Sequence, residues 1–297
     1  MRLALAGPVL VGALLATPAV GADEGVKLSG KAEFIASYLH LDDKAGEAAV
    51  IQPGEASNLW TVGGGGALDA GLGMWHLQTD FSGEGTVHNR SSDDTYLGSF
   101  GGGLHAGWRD PELGSLGAFG AVGNLRINDL DGKDPKTVAW GIGLEGQLYF
   151  DSTTVYLQTG YLDREPVSSG GDKDALKNAG FLRGVGRYFC GENLEFQAEA
   201  SYAQGKMDPD GDNVLIAGWG AEVEYRLPDT PIAGFVGYTG AYYFQDDDSD
   251  KLFENRIGFG VRVYFGQPSL KANDRHGASL ELPRTLQWNG VIAGPLE

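Results

Sequence analysis

Charged side chains recur two or four residues apart in several segments of this chain, which is the spacing of one face of a β-strand. The members of this set are Glu145, Arg183, Arg187, Glu195, Glu199, Glu222, Glu224, Arg226 and Arg262. Carboxylates and guanidinium groups on one face either pair with each other or attract solutes of opposite charge. The pattern therefore predicts a charged surface that serves either as an ion-paired filling or as a constriction that sorts solutes.

Other residues that could carry chemistry form weaker patterns. Asp208, Asp210 and Asp212 alternate around a glycine, as at the start of a calcium loop, but the distal glutamate of such a loop is missing. We interpret this run as a solvated turn, with a weak cation site as the alternative. The five histidines are His40, His76, His88, His105 and His276. None lies in a defensible arrangement with a serine and an orienting residue, so we expect no enzyme activity and no cofactor.

The elements that must position these residues are strand-like segments whose side chains alternate between two faces. They lie near 30–41, 59–69, 72–82, 95–108, 114–127, 137–150, 153–163, 177–189, 193–205, 213–227, 231–245 and 253–266. In the segment 137–150, for example, Ile142 and Glu145 fall on opposite faces. Glycine contributes 48 of the 297 residues, and glycines inside strands mark curvature or close packing.

The connections between these segments alternate between short and long. The short ones are 70–71, 109–113, 151–152, 190–192 and 228–230, and the long, polar ones are 42–58, 83–94, 128–136, 164–176, 206–212 and 246–252. Barrels of the bacterial outer membrane have short periplasmic turns and longer outer loops. We therefore predict an all-β fold, a transmembrane antiparallel up-and-down β-barrel of about 12 strands, with about ten or fourteen as alternatives.

The turn at 190–192 allows two strands to be paired from the sequence. A three-residue turn there places Arg187 opposite Glu195 and Arg183 opposite Glu199, and opposite charges in such positions stabilise a sheet. Because an unpaired charge is costly in lipid, this charged face is predicted to line the lumen.

The N-terminus has the pattern of a secretory signal. Arg2 gives a positive start, residues 3–16 are apolar, and small residues lead to a cleavage site after Ala22. We expect residues 1–22 to be removed after export through the Sec pathway. The single cysteine, Cys190, excludes an internal disulfide bond and is expected to be an inert turn residue. The net charge of −18 argues against nucleic acid as a partner.

Residues 258–265 carry the most specific signal. They read Gly-Phe-Gly-Val-Arg-Val-Tyr-Phe, with alternating apolar residues that end in Phe265. Aromatic residues at the strand ends also fit interface girdles, namely Trp60, Trp75, Trp108, Tyr149, Phe150, Phe189, Tyr225, Tyr242, Phe244, Tyr264 and Phe265. On these features the chain resembles a bacterial outer-membrane β-barrel of the porin-like kind over 23–266. Gly258 departs from the pattern, as do the residues that follow Phe265.

This resemblance implies a location in the bacterial outer membrane, contact with its lipid and lipopolysaccharide, and recognition of 258–265 by the barrel-assembly machinery. We expect a channel for passive diffusion of ions or small hydrophilic solutes, with modest cation selectivity because the predicted lumen is acidic. A structural or ligand-binding barrel without transport is the first alternative, and a lipid-modifying enzyme is the second. The tail, 267–297, is predicted to be periplasmic, either disordered or folded against the barrel mouth or into the lumen.

Overall fold

The structure, a computed structural model, describes residues 25–43, 57–88, 96–128, 136–166, 175–208, 213–245 and 251–283. Twelve antiparallel strands close into one barrel, in which each strand pairs with its sequence neighbours and β1 pairs with β12. The strands are β1 (Lys27–Asp43), β2 (Ser57–Leu72), β3 (Trp75–His88), β4 (Tyr96–Asp110), β5 (Gly114–Asn128), β6 (Lys136–Tyr149), β7 (Thr153–Pro166), β8 (Ala175–Phe189), β9 (Leu194–Asp208), β10 (Asn213–Arg226), β11 (Ile232–Gln245) and β12 (Lys251–Phe265). One short helix, α1 (Leu270–His276), follows within the described part. The predicted all-β barrel is confirmed.

The alternation of faces along the strands separates the lumen from the exterior. On β6, Ile142 is 57% exposed on the outside, whereas Glu145 is 4% exposed and points inward. Large apolar side chains form the outer surface around the barrel, and charged side chains point into the lumen. The strands contain 14 to 17 residues, which exceeds the roughly 9–11 needed to cross a bilayer. The chain is therefore a transmembrane β-barrel of the bacterial outer-membrane type.

In the described ranges, the structure contains no helix that is both long and apolar enough to cross a membrane.

Two details of the predicted strands are wrong. The turn between β2 and β3 lies at Gly73 and Met74 rather than at 70–71, because Gly73 adopts a positive φ of 60° that favours glycine. Three of the predicted interface aromatics, Tyr149, Phe189 and Tyr264, are buried inside the barrel. These three share the inward parity of their strands, and parity outweighs their position at strand ends.

The inner wall differs between the two halves of the barrel. On β7 to β10 and on β12, large polar and charged side chains point inward. On β2 and on β4 to β6, many inward positions are glycine, namely Gly63, Gly65, Gly101, Gly103, Gly107, Gly117, Gly123, Gly141 and Gly143. Because these positions carry no side chain, this half of the wall leaves space within the lumen.

Aromatic rings cover glycines on neighbouring strands of the wall. Trp219 on β10 is directly opposite Gly240 on β11, and a Cβ at residue 240 would collide with the indole ring. We expect Gly240→Ala to displace this ring and lower the free energy of unfolding by about 1–3 kcal/mol. Gly186→Ala is the matched control, since a Cβ there meets nothing within 4 Å. Thermal unfolding on a heat-modifiability gel measures both, and equal melting of the two variants would contradict the covering role of Trp219.

Candidate functional site

The C-terminal segment turns back into the barrel after β12. Gly266 makes the reversal with a φ of 82°, and the Ser269 hydroxyl caps α1 by accepting from the Ala272 amide at 3.0 Å. Leu270 then packs among lumen-facing side chains, namely Phe189, Ala233 and Tyr264. The described part of the tail, 267–283, thus folds against the barrel mouth, where Lys271 contacts Asp151 in a short turn, and continues into the lumen; the sequence left both arrangements open. Residues 284–297 lie outside the described residues.

After α1 the segment runs from the end of the barrel that carries the short turns, which is the periplasmic end in outer-membrane barrels, towards its middle. Arg109 donates from Nη1 to the Gly277 carbonyl at 2.7 Å, and Leu282 contacts the wall at Gly103. Arg109 and Gly103 both lie on β4, and their six-residue separation corresponds to about 20 Å at the usual rise of a strand. We call residues 267–283 the plug, because they occupy this length of the lumen.

Two arginines of β8 hold the middle of the plug. Arg183 Nη2 lies 2.5 Å from Glu281 Oε2, and Arg187 Nη2 lies 2.8 Å from Glu281 Oε1. Arg183 also pairs with Glu199 of β9 at 2.7 Å, and Arg187 pairs with Asp274 of the plug at 2.8 Å. Both arginines are almost fully buried, so these charge-assisted contacts lie away from bulk water.

Amide and hydroxyl groups of the wall bind the backbone of the plug. Gln78 accepts from the Leu280 amide at 3.2 Å and donates to the Leu280 carbonyl at 2.8 Å. Gln158 donates to the Glu281 carbonyl at 2.8 Å, and the Tyr156 hydroxyl lies 3.4 Å from the same oxygen. The buried backbone groups of the plug are therefore paired by the wall, as buried peptide groups require.

A second ionic cluster surrounds His105 on the inner face of β4. Its Nδ1 lies 2.7 Å from Glu145 Oε1, and its Nε2 lies 3.0 Å from Asp80 Oδ2. Because ionised carboxylates only accept hydrogen bonds, this arrangement suits a doubly protonated, cationic ring. Glu145 also accepts from the Tyr156 hydroxyl at 2.5 Å. Sequence analysis predicted no role for His105 and did not identify Asp80.

A third cluster lies around Arg262 on β12. Its Nη1 is 2.5 Å from carboxylate oxygens of both Glu222 and Glu224, and its Nε is 2.9 Å from Glu33 Oε2. The guanidinium group also stacks on the Phe235 ring, 3.9 Å from its centroid. One guanidinium group thus neutralises part of the charge of three carboxylates from two strands, β1 and β10.

Above the plug, towards the outer side, the lumen contains a cavity of about 260 Å³. Charged side chains line it, including Lys31, Arg256, Arg262, Glu84 and Glu281. Arg256 binds both carboxylate oxygens of Glu84 at 2.8 Å. The cavity therefore has a wall of mixed character, with charged groups beside apolar ones such as Phe235, and a floor formed by the plug.

All nine predicted pore-lining residues, from Glu145 to Arg262, point into the barrel. They do not line one open constriction, because most take part in the ion pairs described above. Arg226 instead lies at the periplasmic end, where its Nη1 donates to the Gln267 carbonyl at 2.9 Å. The sequence allowed either an ion-paired filling or a constriction that sorts solutes. The structure corresponds to the ion-paired filling.

The predicted register between β8 and β9 is wrong by two residues. Arg187 is opposite Gln197 and Arg183 is opposite Ser201, because the turn extends over 190–193 rather than 190–192. A shift of two keeps every side chain on its predicted face. The expected ion pair between Arg183 and Glu199 still forms, but it runs diagonally between the strands.

The candidate cation site falls largely outside the described residues. Asp208 ends β9, whereas Asp210 and Asp212 lie in the range 209–212, which the structure does not describe. Among the side chains that are described, no group of three or more His, Cys, Asp or Glu residues could hold a metal ion. Cys190 is a free thiol at the exposed end of β8.

Comparison with known proteins finds similarity of fold. No protein-family model and no curated protein matches this chain. The translocator domain of autotransporter NalP from Neisseria meningitidis matches with a TM-score of 0.47 and 14% identity, covering 81% of this chain and 89% of that one. The toluene transporter TodX of Pseudomonas putida matches with a TM-score of 0.43 and 11% identity, covering 82% and 90%. The KdgM porin, in complex with disordered oligogalacturonate, matches with a TM-score of 0.41 and 11% identity, covering 78% and 99%.

Proposed function

We propose that this protein is an outer-membrane channel for small hydrophilic solutes, closed in the present state by the plug. The observation that carries the proposal is how the plug is held. Arg109 and Gln78 bind its backbone at Gly277 and Leu280, and ion pairs hold its acidic side chains. Neutral hydrogen bonds contribute about 0.5–1.5 kcal/mol each and those to charged groups about 1.5–3 kcal/mol, because water bonds the same groups once they separate. A plug held in this way can leave a lumen that fills with water.

The cavity above the plug supports passage of small solutes. Its volume of about 260 Å³ is enough for several water molecules, and its wall offers both donors and acceptors. Polar groups in such a wall lower the cost of moving a hydrated solute through the membrane.

Deletion of residues 267–297 tests the proposal directly. We expect the truncated protein to conduct far more current per molecule in planar bilayers than the full-length protein, because the deletion removes the only described segment in the lumen. Heat modifiability of the truncated protein on a gel is the control for folding. A folded truncated barrel with no more conductance than the full chain would contradict the channel.

A structural barrel without transport is the second candidate. The ion-paired clusters around Arg262 and His105 favour it, because they join neighbouring and next-neighbouring strands and fill space independently of the plug. In that case neither the full-length nor the truncated protein would conduct current in planar bilayers.

We further propose that the protein reaches the outer membrane through the Sec pathway and that the barrel-assembly machinery recognises β12. The apolar outer surface supports contact with lipid and lipopolysaccharide. We also propose that the protein has no enzyme activity.

A further inference from the structure

The arginine pair of β8 forms a site that matches a carboxylate. Arg183 and Arg187 each direct an Nη2 group at a different oxygen of Glu281, at 2.5 and 2.8 Å. The wall itself orients both arginines, since Arg183 donates to Gln158 at 2.9 Å and Arg187 donates to Gln197 at 3.0 Å. The two donors are therefore positioned by the barrel, and a preorganised site loses less entropy when it binds.

The same part of the wall also binds the peptide groups beside this carboxylate. Gln158 donates to the Glu281 carbonyl, and Gln78 binds both the amide and the carbonyl of Leu280. The wall thus recognises an anionic group together with neighbouring amides. Small carboxylates and short acidic peptides have this combination of groups.

The Glu281 site differs from the other ion pairs of the lumen in the origin of its carboxylate. Arg262 pairs with Glu222, which is part of the wall and remains there in any position of the plug. Arg183 and Arg187 instead share Glu281, which the plug contributes. When the plug leaves, these two arginines lose a common anionic partner.

The carboxylate position of the site borders the cavity of the lumen. The Glu281 side chain retains 23% exposure and forms part of the floor of the cavity of about 260 Å³. A solute in that cavity is therefore next to the carboxylate position.

We infer that Arg183 and Arg187 form a binding site for carboxylate-bearing solutes and that Glu281 occupies it as a tethered substitute. The role in solute passage rests on the channel proposed above. Binding itself depends only on the two arginines and their wall partners. A solute carboxylate and Glu281 compete for the same donors, so binding of one favours release of the other.

Chemical rescue of the full-length Glu281→Ala variant tests the inference. The variant vacates the carboxylate position but keeps both arginines, so we expect a lower melting temperature than that of the wild type. Sodium propionate should raise this melting temperature in a concentration-dependent manner, whereas propionamide, its neutral analogue, should not. Sodium chloride at the same ionic strength controls for screening. If the variant does not fold in chloride, its folding yield in propionate against propionamide is the readout.

Glu84→Ala is the matched control. It also removes a lumenal carboxylate, but the vacated position faces a single arginine, Arg256. We expect propionate to stabilise this variant less than Glu281→Ala. An equal effect of propionate on both variants, or an equal effect of propionate and propionamide on Glu281→Ala, would overturn the paired-arginine site.

Bilayer recordings on the same samples separate this inference from the channel. Rescue by propionate together with a silent truncated barrel supports the binding site and refutes the channel. Conductance of the truncated barrel without rescue of Glu281→Ala supports the channel and refutes the binding site.

Discussion

Replacing Arg262 with methionine is expected to lower the free energy of unfolding by about 3–5 kcal/mol, the usual cost of leaving buried charge without its partner. The substitution removes the guanidinium group that lies within 2.9 Å of Glu33 and 2.5 Å of Glu222 and Glu224. Methionine preserves much of the side-chain volume over Phe235, so the loss reports charge rather than a cavity. Urea unfolding in lipid vesicles, followed by tryptophan fluorescence, measures the effect.

Glu222→Gln is the control for the Arg262 prediction. It removes one of three carboxylates and leaves Arg262 with two, so the remaining cluster is closer to neutrality. We expect a change within about 1 kcal/mol, because Arg262 keeps two carboxylate partners. Wild-type stability of Arg262→Met would mean that water already solvates these carboxylates, and the ion-paired description of this cluster would then be wrong.

Linking the plug to the wall is expected to abolish the opening of the barrel. The Leu282 side chain contacts the position that a Cβ at residue 103 would occupy, so cysteines at 103 and 282 are placed to approach each other. The variant carries Gly103→Cys, Leu282→Cys and Cys190→Ser, the last to remove the natural thiol. Under oxidising conditions we expect channel openings to disappear, and a reductant should restore them.

Mass spectrometry establishes whether the disulfide forms, and each single-cysteine variant controls for the substitutions. If the oxidised, cross-linked protein opens as often as the reduced protein, the plug does not gate the barrel. If no cross-link forms, Leu282 does not lie beside Gly103 in the membrane, and the position described for the plug is wrong.

The features that are local in sequence could be predicted from it. Side chains alternate with a period of two, so the direction of Glu145 and Arg183 followed from parity alone. Phe189 has the same parity as Arg187, and parity alone predicts that it points inward. Its position at a strand end led instead to the prediction that it faces the lipid interface. The turn after β2 was ambiguous because both Gly71 and Gly73 can form one, and only pairing with β3 decides between them.

The position of the plug depends on contacts between residues that are far apart in the sequence, and no local sequence pattern indicates them. Gln78 and Leu280 are 202 residues apart in sequence, and nothing near either residue indicates the other. The His105 cluster likewise joins three strands, so it required the register of every strand between β3 and β6. The β8–β9 register was misjudged because directly opposite charges were favoured, whereas arginine is long enough to reach a diagonal neighbour such as Glu199.

The closure of the barrel by β1 and β12 has a consequence for the order of folding. Arg262 and Glu33, which pair across this seam, are 229 residues apart, so the seam can form only after nearly the whole barrel has been synthesised. The plug follows β12 after a short connection and depends on the completed wall for its contacts. Contacts between such distant residues form late, because the chain entropy of a long loop must be overcome first. The plug is therefore among the last parts to fold, and the acidic lumen passes through a hydrated, unfilled stage during biogenesis.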